Sequence, residues 1–260
     1  MVQNKGKREQ SEKTFRNLRR FNAFMGVLHF IQGTLMVALS NDFSLPVNVS
    51  YLEFDTALFK LIPATREIGM FRVGPAVALF LFLSAGAHFI LASPMGYPWY
   101  VKNLKKHINY LRWFEYSLSA SWMIVIISML VGIYDLGTLL ALFTLTAVMN
   151  LMGLMMEIHN QTTQTTNWTS YIIGCIAGAV PWIVIFISIL ANEEVPNFVI
   201  AIFISIAIFF NLFAINMVLQ YKKVWKWKDY LYGERMYIIL SLFAKSALAW
   251  QIFAGTLRPM

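Results

Sequence analysis

Residues 198–221, FVIAIFISIAIFFNLFAINMVLQY, decide the fold, because this stretch is almost entirely apolar and carries no charged side chain. A helix needs about 20 such residues to cross a hydrocarbon core about 30 Å thick. Other stretches of the chain have the same length and character. The seven predicted spans are residues 19–40, 67–93, 108–132, 137–158, 169–191, 198–221 and 233–256. The sequence therefore predicts an all-α membrane protein, a seven-transmembrane helix bundle that forms a single domain over residues 1–260.

The composition agrees with a membrane protein and excludes several other classes. Of the 260 residues, 58% are hydrophobic and only 13% are charged, which is far from the usage of a soluble domain. The single cysteine, Cys175, predicts neither a disulfide framework nor a Cys/His metal cluster. No nucleophile-base pair and no metal-ligand spacing such as HExxH is present, so we predict no enzyme activity and no metal site.

Lysine and arginine in the short connections predict the orientation, because these residues resist translocation. On one side lie Lys5, Lys7, Arg8, Lys13, Arg16, Arg19 and Arg20, mostly in the tail 1–18, then Lys102, Lys105 and Lys106, and Lys222, Lys223, Lys226 and Lys228. On the other side lie Lys60, Arg66, Asp135, Glu193, Glu194 and Arg258. The N-terminus is therefore predicted to be cytoplasmic and the C-terminus external. This bias and anionic lipid headgroups explain the net charge of +8, so no nucleic-acid partner is required.

The first external loop, residues 41–66, is long for a connection between two spans. Within it, VNVSYLEF at 47–54 has the β-branched and aromatic content of a strand, so we predict an external β-hairpin. A flexible loop is the alternative. Asn48 begins a glycosylation sequon on this predicted external face, a pattern that is common by chance.

Ionisable side chains inside the predicted spans are few, and such groups are costly in a membrane and usually functional. Five lie within a turn or two of a span end, where snorkelling can relieve the cost: Arg72, Arg112, Glu157, Glu234 and Arg235. The histidines His29 and His88 lie deeper. Glu115 and Lys245 are the two charged residues that snorkelling does not explain.

The distances of these two charges from the cytoplasmic ends of their helices place them at a similar depth in the membrane. Lys245 lies roughly 18 Å along the seventh span from Gly233, and Glu115 lies roughly 12 Å along the third span from His107, at about 1.5 Å per residue. Helix side chains lean toward the N-terminus, so the lysine nitrogen should point toward the cytoplasmic side, where it can meet the carboxylate at one level. A buried cation needs a hydrogen-bonded anion close by, so we predict that the two residues form a pair.

Two interpretations of this pair remain open. It is either a structural ion pair or a Schiff-base lysine with one carboxylate inside an aromatic box, which is the arrangement that holds a conjugated chromophore. Nearby hydroxyls that can hydrogen-bond either partner are Ser241, Ser117, Ser119 and Ser121. The aromatic residues around the predicted site are Trp113, Tyr116, Trp122, Trp182, Phe209, Phe210 and Trp250.

Four stretches carry a resemblance to a known family: RWFEYSLSAS at 112–121, SLFAKSALAW at 241–250, LQYKKVWKWKDYLYGE at 219–234, and the strand-like first external loop. Together with seven spans and a cytoplasmic N-terminus, they resemble the heliorhodopsins. The resemblance implies that Lys245 binds all-trans retinal as a protonated Schiff base, with Glu115 as its sole counterion.

The same resemblance implies roles for further residues. Ser241 and Ser119 would hydrogen-bond around the pair. His29 and His88 would lie in a polar cavity on the cytoplasmic side, with Asn109, Tyr116 and Glu157 as neighbours. Positions around the polyene and the ionone ring would be Met149, Gly153, Phe209 and Gln220. The family is typically dimeric, with the first external loop reaching the partner, and GCIAG at 174–178 is a GxxxG pattern that favours helix contact.

A proton pump needs proton-transferring groups in both halves of the bundle. Beyond Glu115 the third span reads MIVIISMLVG at 123–132, and the seventh span beyond Lys245 offers little besides Gln251, so the external half is predicted to be dry. The histidines on the cytoplasmic side could accept a proton and return it. We therefore predict a light-sensing photoreceptor in the lipid bilayer, with a slow photocycle, no net ion transport and an unidentified cytoplasmic signalling partner. The alternatives are a light-driven pump or light-gated proton channel, and a retinal-free membrane protein.

Overall fold

The computed structural model describes residues 2–192 and 194–257, with side chains from residue 12 onward. The helices are α1 (Val2–Leu39), α2 (Val73–Ala92), α3 (Gly96–Leu104), α4 (Tyr110–Leu130), α5 (Leu136–His159), α6 (Thr169–Ala191), α7 (Asn197–Tyr221) and α8 (Tyr230–Ile252), and the strands are β1 (Ser44–Asp55) and β2 (Lys60–Arg72). A 3₁₀ turn spans Trp225–Lys228, and a π-helical turn, Phe253–Leu257, extends α8. Of the charges used for orientation, Glu193, Arg258 and the side chains of Lys5, Lys7 and Arg8 lie outside this description.

Seven of the described helices are long and apolar enough to cross a membrane, which confirms the predicted count. They are Glu12–Leu39, Val73–Ala92, Tyr110–Leu130, Leu136–His159, Thr169–Ala191, Asn197–Tyr221 and Tyr230–Leu257. Large apolar side chains such as Ile176, Ile187 and Ile204 are more than half exposed on their outer faces. Contiguous apolar surface of this kind is typical of a protein whose solvent is lipid.

The first connection forms a β-hairpin, as predicted, but the hairpin is longer than residues 41–66. The two strands pair antiparallel from Ser44 with Arg72 to Asp55 with Lys60, with an irregularity after Val47. The second span was predicted to begin at residue 67, and this boundary is wrong, because the stretch up to Arg72 pairs with β1. An apolar strand and the first turns of an apolar helix have the same hydropathy, so the boundary is not visible in the sequence. Arg72 is exposed and forms an ion pair with Asp42.

The hairpin is fixed to the bundle at the start of α5. The backbone N–H of Asn48 donates to the carbonyl of Tyr134 at 2.9 Å. The carboxylate of Asp135 caps α5 by accepting from the backbone N–H of Thr138 at 2.9 Å, and it also accepts from the N–H of Ser50 at 3.2 Å. These hydrogen bonds, the one from Thr138 first, lower the pKa of Asp135.

The bundle has two different ends. The basic end carries the exposed cations Lys13, Arg16, Arg20, Lys102, Lys105, Lys106, Lys222, Lys223, Lys226 and Lys228. The opposite end carries β1 and β2, and we call it the hairpin end. The connection from α2 to α4 at the basic end contains the helix α3, which the sequence did not predict. Its Tyr100 is buried.

The core toward the hairpin end is apolar and tightly packed. It includes Phe80 and Leu81 from α2, Ile124 and Ile127 from α4, and Leu248 from α8. In α6, the GxxxG pattern packs against α5 within the chain, since a Cβ atom on Gly174 would lie 3.1 Å from the Cβ of Met152. Small residues let two membrane helices approach closely, and here that approach shapes the site.

Candidate functional site

Lys245 and Glu115 form a buried ion pair in the middle of the bundle. The lysine Nζ lies 2.7 Å from the Oε1 atom of Glu115, as the depth argument predicted, and the side chains are only 4% and 7% exposed. The third partner is Ser84 of α2, whose Oγ lies 2.5 Å from Nζ and donates to Glu115 Oε1 at 2.7 Å. The lysine, the carboxylate and the hydroxyl therefore satisfy one another where no bulk water reaches them.

Two of the hydroxyls predicted around the pair are buried close to it, Ser119 beside Glu115 and Ser241 beside Tyr116. Among the described residues, neither Oγ atom makes a hydrogen bond of normal geometry. Ser117 and Ser121 donate to the backbone carbonyls of Phe114 and Ser117. Ser84 sits in an apolar helix whose sequence gives no sign that one hydroxyl meets a charge, so sequence reasoning missed it.

A cavity of about 430 Å³ lies beside the pair, between α4, α5, α6 and α7. Its walls combine aromatic rings with small apolar residues, and Trp182 packs edge-on against Phe203 and Phe210 at ring-centroid distances of 5.6 and 5.3 Å. Pockets of about 300–1,000 Å³ with mostly apolar walls are typical of small-molecule sites. The ring of Tyr116 is part of the cavity wall, and its centroid lies 5.2 Å from the lysine Nζ.

Some of the residues predicted around a chromophore line this cavity and others do not. Met149, Gly153, Trp113, Tyr116, Trp182 and Phe210 line it. Phe209 packs against the apolar core instead, and Gln220 donates to the backbone carbonyl of Tyr230 at the basic end. Trp122 donates to the carbonyl of Ala76, and Trp250 donates to Gln32, so neither belongs to the cavity wall.

The predicted histidine pair is present. The rings of His29 and His88 stack at 5.6 Å with an interplanar angle of 10°, and His88 Nδ1 lies 2.8 Å from the side-chain oxygen of Asn22. Both ring nitrogens of His29 are buried and have no hydrogen-bond partner among the described residues. Sequence reasoning did not identify Asn22, which looks like an ordinary polar residue near the start of the first span.

A small second cavity, about 20 Å³, adjoins His88 on the basic side of the pair. This volume is close to the space that one water molecule needs. Its polar lining comprises Asn22, His88, Asn109, Arg112, Glu115, Tyr116 and Glu234. Of the predicted cavity residues, His88, Asn109 and Tyr116 are thus brought together, whereas His29 and Glu157 lie outside this lining.

The interpretation of Arg112, Glu157 and Glu234 as snorkelling residues is wrong. Arg112 donates to both carboxylates, and none of the three side chains is more than 4% exposed. Asn109 binds both acids, its backbone N–H donating to Glu157 at 3.0 Å and its side chain donating to Glu234 at 2.6 Å. At this end of the bundle, Tyr100 of α3 packs with Phe15 and Leu18 of α1 and Ile238 of α8 in one buried cluster, and the three charged residues meet one another instead of the interface. Removing one partner of such a buried network typically costs about 3–5 kcal/mol.

Trp113 joins the large cavity to this ionic network. Its ring lines the cavity, and its Nε1–H donates to Glu157 Oε2 at 2.7 Å. Tyr230 and Tyr100 complete the network, donating to Glu157 at 3.1 Å and to Glu234 at 2.9 Å. The hydrogen bond from Trp113 to Glu157 therefore links the cavity wall directly to the ionic network at the basic end.

A comparison with protein families matches residues 18–257 to the heliorhodopsins. The chain belongs to the heliorhodopsin family. A search of curated proteins found no match. Membership makes this heliorhodopsin a multi-pass membrane protein of the retinal-binding rhodopsins, with retinal as its cofactor.

The residues of this heliorhodopsin fit retinal. The large cavity is apolar, which suits a polyene, and it ends one aromatic ring away from a lysine amine. Several lining residues, among them Cys175 and Asn211, are exposed on α6 and α7. The cavity therefore opens sideways, and an apolar ligand can enter it from the bilayer.

Gly153 keeps the cavity wall in place, and its replacement by Ala is expected to destabilise the protein by about 1–3 kcal/mol, the usual cost of overpacking. A Cβ atom there would overlap the buried ring of Trp113. Gly86→Ala in α2 is the matched control, because a Cβ atom at that position meets nothing within 4 Å and the better helix propensity of Ala should stabilise by up to about 1 kcal/mol. Thermal unfolding in detergent measures both, and equal melting temperatures would contradict the close contact.

Proposed function

We propose that this heliorhodopsin is a light-sensing photoreceptor that holds all-trans retinal on Lys245 as a protonated Schiff base, with a slow photocycle and no net ion transport. The observation that carries the proposal is the buried pair of Lys245 and Glu115 at the end of an aromatic cavity. When bound, retinal would supply absorption of visible light and the isomerisation that follows it. Light sensing is not catalysis, and the family is one of rhodopsins rather than of enzymes.

The chain's own groups prepare Lys245 for this role. Glu115 supplies one negative charge 2.7 Å from Nζ, which stabilises a positive charge on the nitrogen. The Ser84 hydroxyl bonds to both atoms and fixes their distance without adding charge. The ring of Tyr116 links the two parts of the site, because it lines the cavity and lies 5.2 Å from the nitrogen, and its hydroxyl donates to the carbonyl of Tyr237 at 2.9 Å.

The distribution of buried charge favours a sensor over a pump. Among the described residues, every buried Asp, Glu, Lys, Arg or His lies at the level of the pair or toward the basic end: His29, His88, Arg112, Glu115, Glu157, Glu234 and Lys245. Toward the hairpin end the buried polar groups are hydroxyls, such as Ser121 and Ser128. A pump needs proton-transferring groups on both sides, and the hairpin half does not provide them.

A proton leaving Lys245 would therefore stay on the basic side. His88 adjoins the small cavity next to Glu115, and His29 stacks on His88, so we propose this pair as an internal proton acceptor that returns the proton afterwards. The hydrogen bond from Trp113 to Glu157 would carry the change toward the basic end. We propose that this end is cytoplasmic, because of its lysines, and that it faces a signalling partner, with a homodimer as the working unit.

Flash-induced pH recording on vesicles that contain the retinal-loaded protein tests the choice between sensor and pump. We expect a visible band and a light-induced change of that band, but no sustained pH change outside the vesicles. The same vesicles, after their visible band has been bleached with hydroxylamine, are the control for a pH change caused by heating in the light. A steady light-driven pH change that a protonophore abolishes would favour the pump, and a passive current that follows an imposed proton gradient in light would favour the channel.

A further inference from the structure

We propose that the connection between α7 and α8, residues 222–229, binds the headgroups of anionic phospholipids. This segment, KKVWKWKD, carries four lysines, and all four are exposed. Its one acidic residue, Asp229, is engaged in capping α8, where it accepts from the backbone N–H of Leu231 at 3.0 Å. The segment therefore presents an excess of positive charge that no ion pair within the described part of the chain neutralises.

Its position keeps the segment at the level of the lipid headgroups. The two flanking spans end at Tyr221 and begin again at Tyr230. So short a connection cannot extend far from the plane in which the two helices leave the hydrocarbon core. The segment is also anchored, because the indole N–H of Trp227 donates to the buried side chain of Asn216 at 2.7 Å and its ring packs edge-on against Tyr232 at 4.9 Å.

The anchored turn exposes two apolar side chains, Val224 and Trp225, among the lysines. Trp225 is 70% exposed and Val224 is 42% exposed. Lys223 and Trp225 both have positive φ angles, 52° and 46°, which non-glycine residues rarely adopt. The backbone thus holds an unfavourable conformation that turns Trp225 outward rather than into the bundle. Tryptophan is enriched at the membrane interface, where its ring sits among the headgroups.

A neighbouring connection extends the same charged surface. The ring of His107 stacks on Tyr230 at 4.8 Å, so the connection from α3 to α4 adjoins the end of the 222–229 segment. Lys105 and Lys106, next to His107, are exposed. The two connections therefore contribute exposed cations to one surface of the basic end.

These features favour a lipid over an acidic protein. Phospholipid surrounds the segment at all times, whereas a soluble partner would have to displace it. Lysines beside an exposed tryptophan match a headgroup phosphate above an apolar acyl chain, since the lysine stems and the indole ring can lie in the interface while the ammonium groups reach the phosphate.

Quenching of Trp225 by brominated lipids tests this proposal without depending on retinal. The full chain is placed in phosphatidylcholine vesicles containing, at one mole fraction, either dibrominated phosphatidylglycerol or dibrominated phosphatidylcholine. Subtracting the signal of Trp225→Phe isolates Trp225. We expect stronger quenching by the anionic lipid, with a local enrichment on the order of five-fold, the factor expected for one well-engaged basic side chain.

The control variants distinguish attraction of the anionic lipid by the lysines from simple contact between Trp225 and the bilayer. The triple variant Lys222→Gln, Lys223→Gln, Lys226→Gln should lose most of the preference for the anionic lipid, whereas Lys60→Gln with Arg66→Gln at the hairpin end should keep it. Raising the salt concentration should reduce the preference of the unsubstituted chain, which tests the same point if the triple variant does not fold. Equal quenching by both lipids in the unsubstituted chain would overturn the proposal. Absence of quenching by either would also overturn it and would favour an acidic protein as the occupant.

Discussion

Replacement of Lys245 by Ala is expected to abolish the visible absorption band completely, because it removes the only amine beside the cavity in the described part of the chain. Retinal without a covalent bond absorbs in the near ultraviolet, so the preparation should remain colourless after addition of all-trans retinal. The measurement is an absorption spectrum of the purified variant. A visible band equal to that of the unsubstituted chain would contradict attachment at this residue.

A control is needed because the substitution also leaves Glu115 buried without its cation, which typically costs several kcal/mol. The double variant Lys245→Met with Glu115→Gln removes both charges and keeps the volume of both side chains close to the original. We expect this variant to fold and to be colourless. Lys228→Ala, on the exposed 3₁₀ turn, should keep the band.

Glu115→Gln is expected to remove most of the visible absorbance near neutral pH and to restore it on acidification. The carboxylate lies 2.7 Å from Nζ, and an opposite charge at this distance stabilises the protonated nitrogen. Without that charge the proton leaves at a lower pH, so the pH at which half of the band remains should fall by about 1–3 units. Absorption spectra recorded during a pH titration measure this midpoint.

Glu157→Gln is the matched control for this titration, because Glu157 is a buried carboxylate of the neighbouring network that does not contact Lys245. Its midpoint should stay close to that of the unsubstituted chain, even if the protein is less stable. A midpoint unchanged in Glu115→Gln and shifted in Glu157→Gln would mean that the negative partner has been assigned to the wrong carboxylate.

The spans and the central pair could be predicted because they depend on one-dimensional rules. Hydropathy over about 20 residues identifies a span, and the rise per residue sets the depth of a side chain. These rules were sufficient to bring Glu115 and Lys245 together from two distant parts of the chain. The family resemblance, carried by RWFEYSLSAS and SLFAKSALAW, then gave the cofactor.

The parts that could not be predicted depend on what covers a helix end. Arg112, Glu157 and Glu234 lie near span ends, where a lone charge would reach the interface, but in the fold they pair with one another and are buried. The basic connection gave no sign of forming a helix with a buried Tyr100. Ser84 and Asn22 are single polar residues in apolar helices, and only the packing of α1, α2 and α4 shows that they meet Glu115 and His88.

The central claim is that retinal is bound covalently to Lys245, and reductive trapping tests it most directly. The coloured complex formed with all-trans retinal is reduced with borohydride, digested, and analysed by peptide mass spectrometry. We predict a retinyl adduct on the peptide that contains Lys245 and on no other lysine peptide. A visible band accompanied by an adduct on a different lysine, or by no adduct at all, would contradict the account.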